Sequence, residues 1–167
     1  MNRSFTRAGA LGAATIAAVT FAATAPAAAA DNGKSYDFTL YAKEVPAAGG
    51  EETGAPPKVG DVFTFAEDLY RTKGGEKVGR DGVTCAVVRG SAQQIDVNCV
   101  GTFVLSGGPG GQLTGQTLTT FDLSEEQPAS FDVAITGGTG DFKEARGYVR
   151  TSPDGDYERL EFHVTTR

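Results

Sequence analysis

From Tyr36 onward the chain alternates apolar and polar side chains in short runs, the period of two that marks half-buried strands. Tyr36, Phe38 and Leu40 alternate with Asp37, Thr39 and Tyr41 in the run Tyr36–Lys43. Phe63, Phe65 and Leu69 alternate with Thr64, Asp68 and Tyr70 in Asp61–Arg71. Val83–Arg89 and Ile95–Leu105 follow, joined by Gly90-Ser91-Ala92, and then Gln112–Asp122, Ser130–Thr136, Ala145–Thr151 and Tyr157–Thr166. Gly and Pro punctuate the chain between these runs, Asp154-Gly155 is a hairpin turn signal, and no stretch repeats apolar residues at helical spacing. The pattern predicts an all-β domain of eight strands. An eight-stranded antiparallel β-barrel removes exposed edges, so it is the expected architecture, with a two-sheet sandwich as the alternative.

Parity assigns the faces. The face that carries Cys85 also carries Val83, Val87, Ile95, Val97, Phe103 and Leu105. Phe63, Phe65 and Leu69 join it from an earlier strand; Phe131, Val133, Ile135, Leu160, Phe162 and Val164 join it from later ones. The other face carries Thr84, Asp96, Asn98, Thr102, Asp132, Arg159, Glu161 and His163. The interior is therefore apolar and aromatic, either filled by its own side chains or holding one small ligand. Glu67 breaks this face between Phe65 and Leu69. A carboxylate in an apolar wall must be paired, hydrogen-bonded or neutralised, and a pKa raised by desolvation suits it to general acid or base work. The alternatives are a bulge that turns Glu67 outward and an ion pair with a buried arginine. Asp61 has the same parity but stands at a strand end beside Gly60.

The first thirty residues follow a different pattern. Arg3 and Arg7 precede an uncharged, alanine-rich run from Leu11 to Ala23, and Ala28-Ala29-Ala30 offers small residues before Asp31. This predicts a secretory signal peptide over residues 1–30, too short to span a membrane, and a single secreted domain over 31–167. The Gly-, Pro- and Glu-rich segment 44–60 is expected to be a flexible loop, either a solvated linker or a flap over the barrel mouth.

Charge and composition narrow the partners. Fifteen Lys and Arg stand against 21 Asp and Glu, a formal charge of −6. That opposes binding to nucleic acid or to an anionic membrane surface. One histidine and two cysteines are too few for a His/Cys metal centre, so no metal is expected. Centring the third hairpin on Ala92 sets Cys85 directly opposite Cys99, within disulfide reach in an oxidising compartment. A free thiol is the alternative. Gly137-Gly138-Thr139-Gly140 lacks the Lys-Ser/Thr of a phosphate loop and is followed by Asp141-Phe142; its glycines suit a tight turn that holds at most one helical turn. His163, between inward Phe162 and Val164, is expected at the surface.

The run Ala134-Ile135-Thr136-Gly137-Gly138-Thr139-Gly140-Asp141-Phe142, with Ala145-Arg146-Gly147-Tyr148, closely resembles a signature of the dirigent proteins and allene oxide cyclases. Gly60–Phe65 with Leu69-Tyr70, Val78-Gly79-Arg80 with Thr84-Cys85, and Gly111–Gly115 resemble further pieces of that family in the same order. The resemblance implies an eight-stranded barrel with a lumen pocket, commonly a homotrimer. It implies a small hydrophobic or phenolic ligand whose cyclisation or coupling is guided by orientation and exclusion of water, an isomerase-like reaction without a cofactor.

By the same resemblance Glu67 and Arg146 are the candidate catalytic residues. Phe63, Phe65, Phe103, Tyr148 and Thr119 are the candidate ligand-binding residues. Cys85 matches a pocket-lining cysteine of the cyclases. Thr119 stands where the cyclases use a tyrosine, which argues against allene oxide cyclase activity itself. Alternation and resemblance disagree at one place: alternation turns Arg146 and Tyr148 outward, whereas the family places the arginine inward. An inward Arg146 would pair with Glu67 and depress its pKa. A non-catalytic secreted module with a filled barrel is the second functional expectation.

Overall fold

The computed structural model describes residues 33–46, 57–125 and 129–167. Eight strands form one closed antiparallel barrel, each bonded to its sequence neighbour and the last to the first. They are β1 (Lys34–Glu44), β2 (Val62–Tyr70), β3 (Lys77–Gly90), β4 (Gln94–Leu105), β5 (Gly111–Asp122), β6 (Phe131–Gly138), β7 (Arg146–Asp154) and β8 (Tyr157–Thr166). All eight expected strands are present, and the barrel replaces the sandwich alternative. The expected signal peptide lies outside the described residues, as does most of the loop expected over 44–60.

The largest departure is β3, which begins six residues before the expected Val83. Alternation does not extend into Lys77-Val78-Gly79-Arg80-Asp81-Gly82, where glycine and charge both disfavour strands, although Val78-Gly79-Arg80 resembles the start of the family's third strand. Pairing with β4 overrides that preference: Gly79 faces Leu105, and Asp81 faces Phe103. A Cβ at Gly79 would stand 2.4 Å from the Val104 carbonyl oxygen, so a glycine permits this close approach.

Two apolar clusters fill most of the barrel. The larger includes Leu40, Leu69, Phe103, Leu113, Val149, Leu160 and Phe162. Phe162 is fully buried; its ring stacks on Phe38 at 4.6 Å and meets Phe103 edge-on at 5.2 Å. Phe142, also fully buried, joins it from the short 3-10 helix Gly140–Phe142, the single helical turn expected within the glycine-rich segment. The smaller cluster gathers Cys85, Val87, Ile95 and Val97 with Phe65, Val83, Cys99 and Phe121 packed against them.

Cys85 and Cys99 are cross-strand partners joined in a disulfide, with Cα atoms 4.1 Å apart, as the hairpin register requires. The bridge excludes the free-thiol alternative for Cys85. The hairpin itself carries a register shift between Val87 and Arg89, so the simple centring on Ala92 holds for the strands but not for the turn.

Candidate functional site

A cavity of about 100 Å³ lies between the two clusters and touches members of both, Phe103 and Leu160 of the larger and Cys85 of the smaller. Five phenylalanines line it: Phe63, Phe65, Phe103, Phe121 and Phe131. Phe63 is 40 % exposed, so the cavity meets solvent at that ring. Strand alternation puts these residues there, since each is an inward position of its strand. Two larger clefts, of about 290 and 370 Å³, lie elsewhere on the barrel, and neither is lined by a buried ionisable side chain.

Three acids share the apolar cavity: Glu67 from β2, Asp81 from β3 and Glu158 from β8. Glu67 and Asp81 are direct cross-strand partners, 8 % and 5 % exposed. Among the described residues no lysine, arginine or histidine lines the cavity. Burial, reinforced by the negative charges of Asp81 and Glu158, pushes Glu67 up to about 9. Burial also raises Asp81 to about 6, while hydrogen bonding to Glu67 pulls it back down. Glu158 is raised by burial as well, partly offset by a hydrogen bond to Thr151.

These shifts have a simple consequence. Two carboxyls in one apolar wall cannot both ionise without a cation, so the Glu67–Asp81 pair holds one proton across the neutral range. Both Asp81 oxygens are shielded from solvent, and among the described residues neither completes a hydrogen bond of ordinary geometry; the Glu67 carboxyl and backbone N–H act on them from just beyond it. The arrangement provides a proton donor and an acceptor side by side in an apolar, aromatic chamber.

Of the residues singled out from sequence, Glu67, Phe63, Phe65 and Phe103 come together at this cavity. Arg146 and Tyr148 do not. Val149 is the buried, inward residue of β7, so its neighbours of opposite parity face out. Arg146 is exposed and its guanidinium donates to the carbonyls of Thr136 (3.2 Å) and Ala145 (2.6 Å). Tyr148 stacks on His163 at 4.8 Å on the outer face, where His163 also meets Asp37 at 2.8 Å. His163 faces outward as alternation expects, and Arg146 follows the alternation rather than the inward placement that the resemblance implied. Thr119 is half-buried opposite Val97 and does not line the cavity; Thr117, one inward step away, does. Cys85 lines it as half of the disulfide.

Asp81 and Glu158 escaped the sequence reading, although parity could have found both. Asp81 is in phase with Val83 and Cys85, and Glu158 with Leu160 and Phe162. Each stands beside a glycine-rich or turn-like stretch where the strand was expected to have ended or barely begun.

The dirigent-like protein family profile matches residues 34–166, from the first described strand to the last. The chain belongs to the dirigent-like family. Among solved structures, the dirigent-like barrel superposes on a pyocyanin demethylase with a TM-score of 0.60 at 27 % identity, covering 77 % of this chain and 99 % of that one. The pterocarpan synthase dirigent protein GePTS1 superposes with a TM-score of 0.55 at 20 % identity, covering 80 % of this chain and 84 % of that one. A second, PsPTS1, gives 0.53 at 20 % identity, covering 81 % and 94 %. These last two show a shared fold. A comparison with curated protein sequences finds no match.

Proposed function

We propose that this dirigent-like protein is secreted, binds a small aromatic compound in its lumen and guides an isomerisation or ring closure by moving a proton between Glu67 and Asp81. The carrying observation is the buried cross-strand pair of acids in a chamber lined by five phenylalanines. Phe63, Phe65 and Phe103 offer flat apolar walls that orient a ring. Protonated Glu67 delivers a proton to an oxygen or nitrogen on that ring. The Asp81 carboxylate accepts one released elsewhere on the same molecule. Proton delivered and proton recovered cancel, so substrate and product have the same composition and neither oxidant nor cofactor is consumed. Apolar walls keep water from a reactive intermediate. The Cys85–Cys99 disulfide and the family's dirigent relatives support export, and the pyocyanin demethylase relative supports an aromatic ligand.

One observation favours a second reading. The cavity of about 100 Å³ is smaller than the usual ligand site of roughly 300 Å³ or more. A non-catalytic module whose barrel is nearly full would look like this. The two readings part on one experiment. Small molecules carried by the purified protein are identified by mass spectrometry, and their turnover is followed in Glu67→Gln and Asp81→Asn. The proposed reading requires an aromatic compound whose conversion falls at least about a hundredfold in either folded variant, the usual scale of lost acid–base catalysis. Unchanged conversion with either variant, or no ligand at all, leaves the binding-module reading.

A further inference from the structure

We propose that the ligand of the lumen is an organic nitrogen cation of about one aromatic ring, held by the acids Glu67, Asp81 and Glu158 and by the faces of the surrounding phenylalanines. This rests on the lumen being a binding site and adds the charge of what it binds. Among the described residues three carboxyls line the cavity and no basic side chain does. The groups facing Glu67 make the imbalance worse: Asp81 from β3, Glu158 from β8, and Glu44, its cross-strand partner on β1. From β7 the cavity receives only the Thr151 hydroxyl. Four basic residues on the same strands are engaged elsewhere, Arg89 with Asp96 among them. Lys43 lies over the Tyr157 ring, Lys77 pairs with Asp68, and Arg159 pairs with Glu161.

Asp81 supplies a second, independent observation. The residue is 5 % exposed, lines the cavity, and neither carboxyl oxygen completes a hydrogen bond of ordinary geometry among the described residues, although the Glu67 carboxyl and backbone N–H stand close enough to lower its pKa. A cation in the cavity would neutralise the charge that burial leaves uncompensated on these oxygens. A metal ion is a poor candidate for that role. Among the described residues no three His, Cys, Asp or Glu side chains converge so that they could hold one. The rest of the wall is aromatic, and ring faces attract a soft, weakly hydrated organic cation rather than a small hard ion. The cavity volume limits the occupant to about a single ring.

The test uses three ring compounds of matched shape and different charge: N-methylpyridinium, toluene and benzoate. Binding to the purified protein is measured by calorimetry at pH 7.5 and pH 4. At pH 7.5 N-methylpyridinium should bind at least about tenfold more tightly than toluene, and benzoate not measurably. At pH 4, with the carboxyls protonated, the preference over toluene should shrink to about twofold or less. The double variant Asp81→Asn, Glu158→Gln should lose the preference at pH 7.5 while still binding toluene, and the pH comparison reports on the same charges without any substitution. Toluene binding as tightly as the cation at pH 7.5 overturns the proposal and leaves the lumen as a neutral-ring site. Preferential binding of benzoate overturns it too. If none of the three binds, the lumen-binding reading falls together with the proposal.

Discussion

Glu67 stands directly across from Asp81 on the β2–β3 pair, an acid facing an acid where a sheet ordinarily sets complementary neighbours. The pairing costs stability, and its cost depends on pH. Each carboxyl is raised in the folded state, Glu67 from 4.5 to about 9 and Asp81 from 3.8 to about 6. Between those limits the unfolded chain ionises and the folded chain retains its proton, so stability falls as pH rises. Asp81 contributes this loss between about pH 4 and 6, and Glu67 from about pH 4.5 up to 9. Glu67→Gln should therefore unfold like the wild type at pH 4 and be more stable by roughly 1–3 kcal/mol at pH 8. Thermal melts at the two pH values check this; a variant less stable than wild type at pH 8 would mean that the pair supports the fold.

The disulfide should be visible directly. Reduction should add the mass of two hydrogens, and Cys85→Ser with Cys99→Ser should lower stability by ~3 kcal/mol in urea unfolding, the loop-closure value for a bridge of this span. Because both cysteines line the cavity, the same variant should also weaken ligand binding.

Gly147 has φ +135°, and a Cβ there would lie 2.0 Å from the His163 carbonyl oxygen. Gly147→Ala should cost on the order of 2–3 kcal/mol or prevent folding. Gly82→Ala is the control, since nothing lies within 4 Å of its added carbon and its φ is not left-handed. A melting temperature that falls equally for both would remove the steric explanation.

Arg146 lies outside the lumen, so Arg146→Ala should leave ligand affinity within about twofold of wild type. Its stability should fall by about 1 kcal/mol, through the lost hydrogen bonds to Thr136 and Ala145. A large loss of affinity, measured on a protein of unchanged melting temperature, would return the arginine to the site.

The barrel was legible because its strands carry the period of two with little interference. Phe63, Phe65 and Phe103 were assigned inward from parity and line the cavity. Glu67 was conspicuous because it interrupts a clean apolar face. Asp81 gave no such signal: a strand rich in glycine and charge looks like a loop until its neighbour is known, and pairing energy is not local. Glu158 was obscured by the turn at Asp154-Gly155-Asp156 beside it. For Arg146 and Tyr148 the chain's own alternation pointed outward and the family resemblance pointed inward; the alternation describes where they are. The size of the cavity was not legible at all, because it depends on how five phenylalanine rings pack together.

Lys34 at the start of β1 pairs with Thr166 near the end of β8, so the two ends of the barrel sequence lie side by side. With every stave bonded to the next one in order, the ring has no privileged starting point. A short linker across that junction and a cut in the Ser106–Gly110 bend would reorder the gene while preserving each of the eight seams. Such a circular permutant would carry its new ends at an exposed bend and keep the acidic chamber intact.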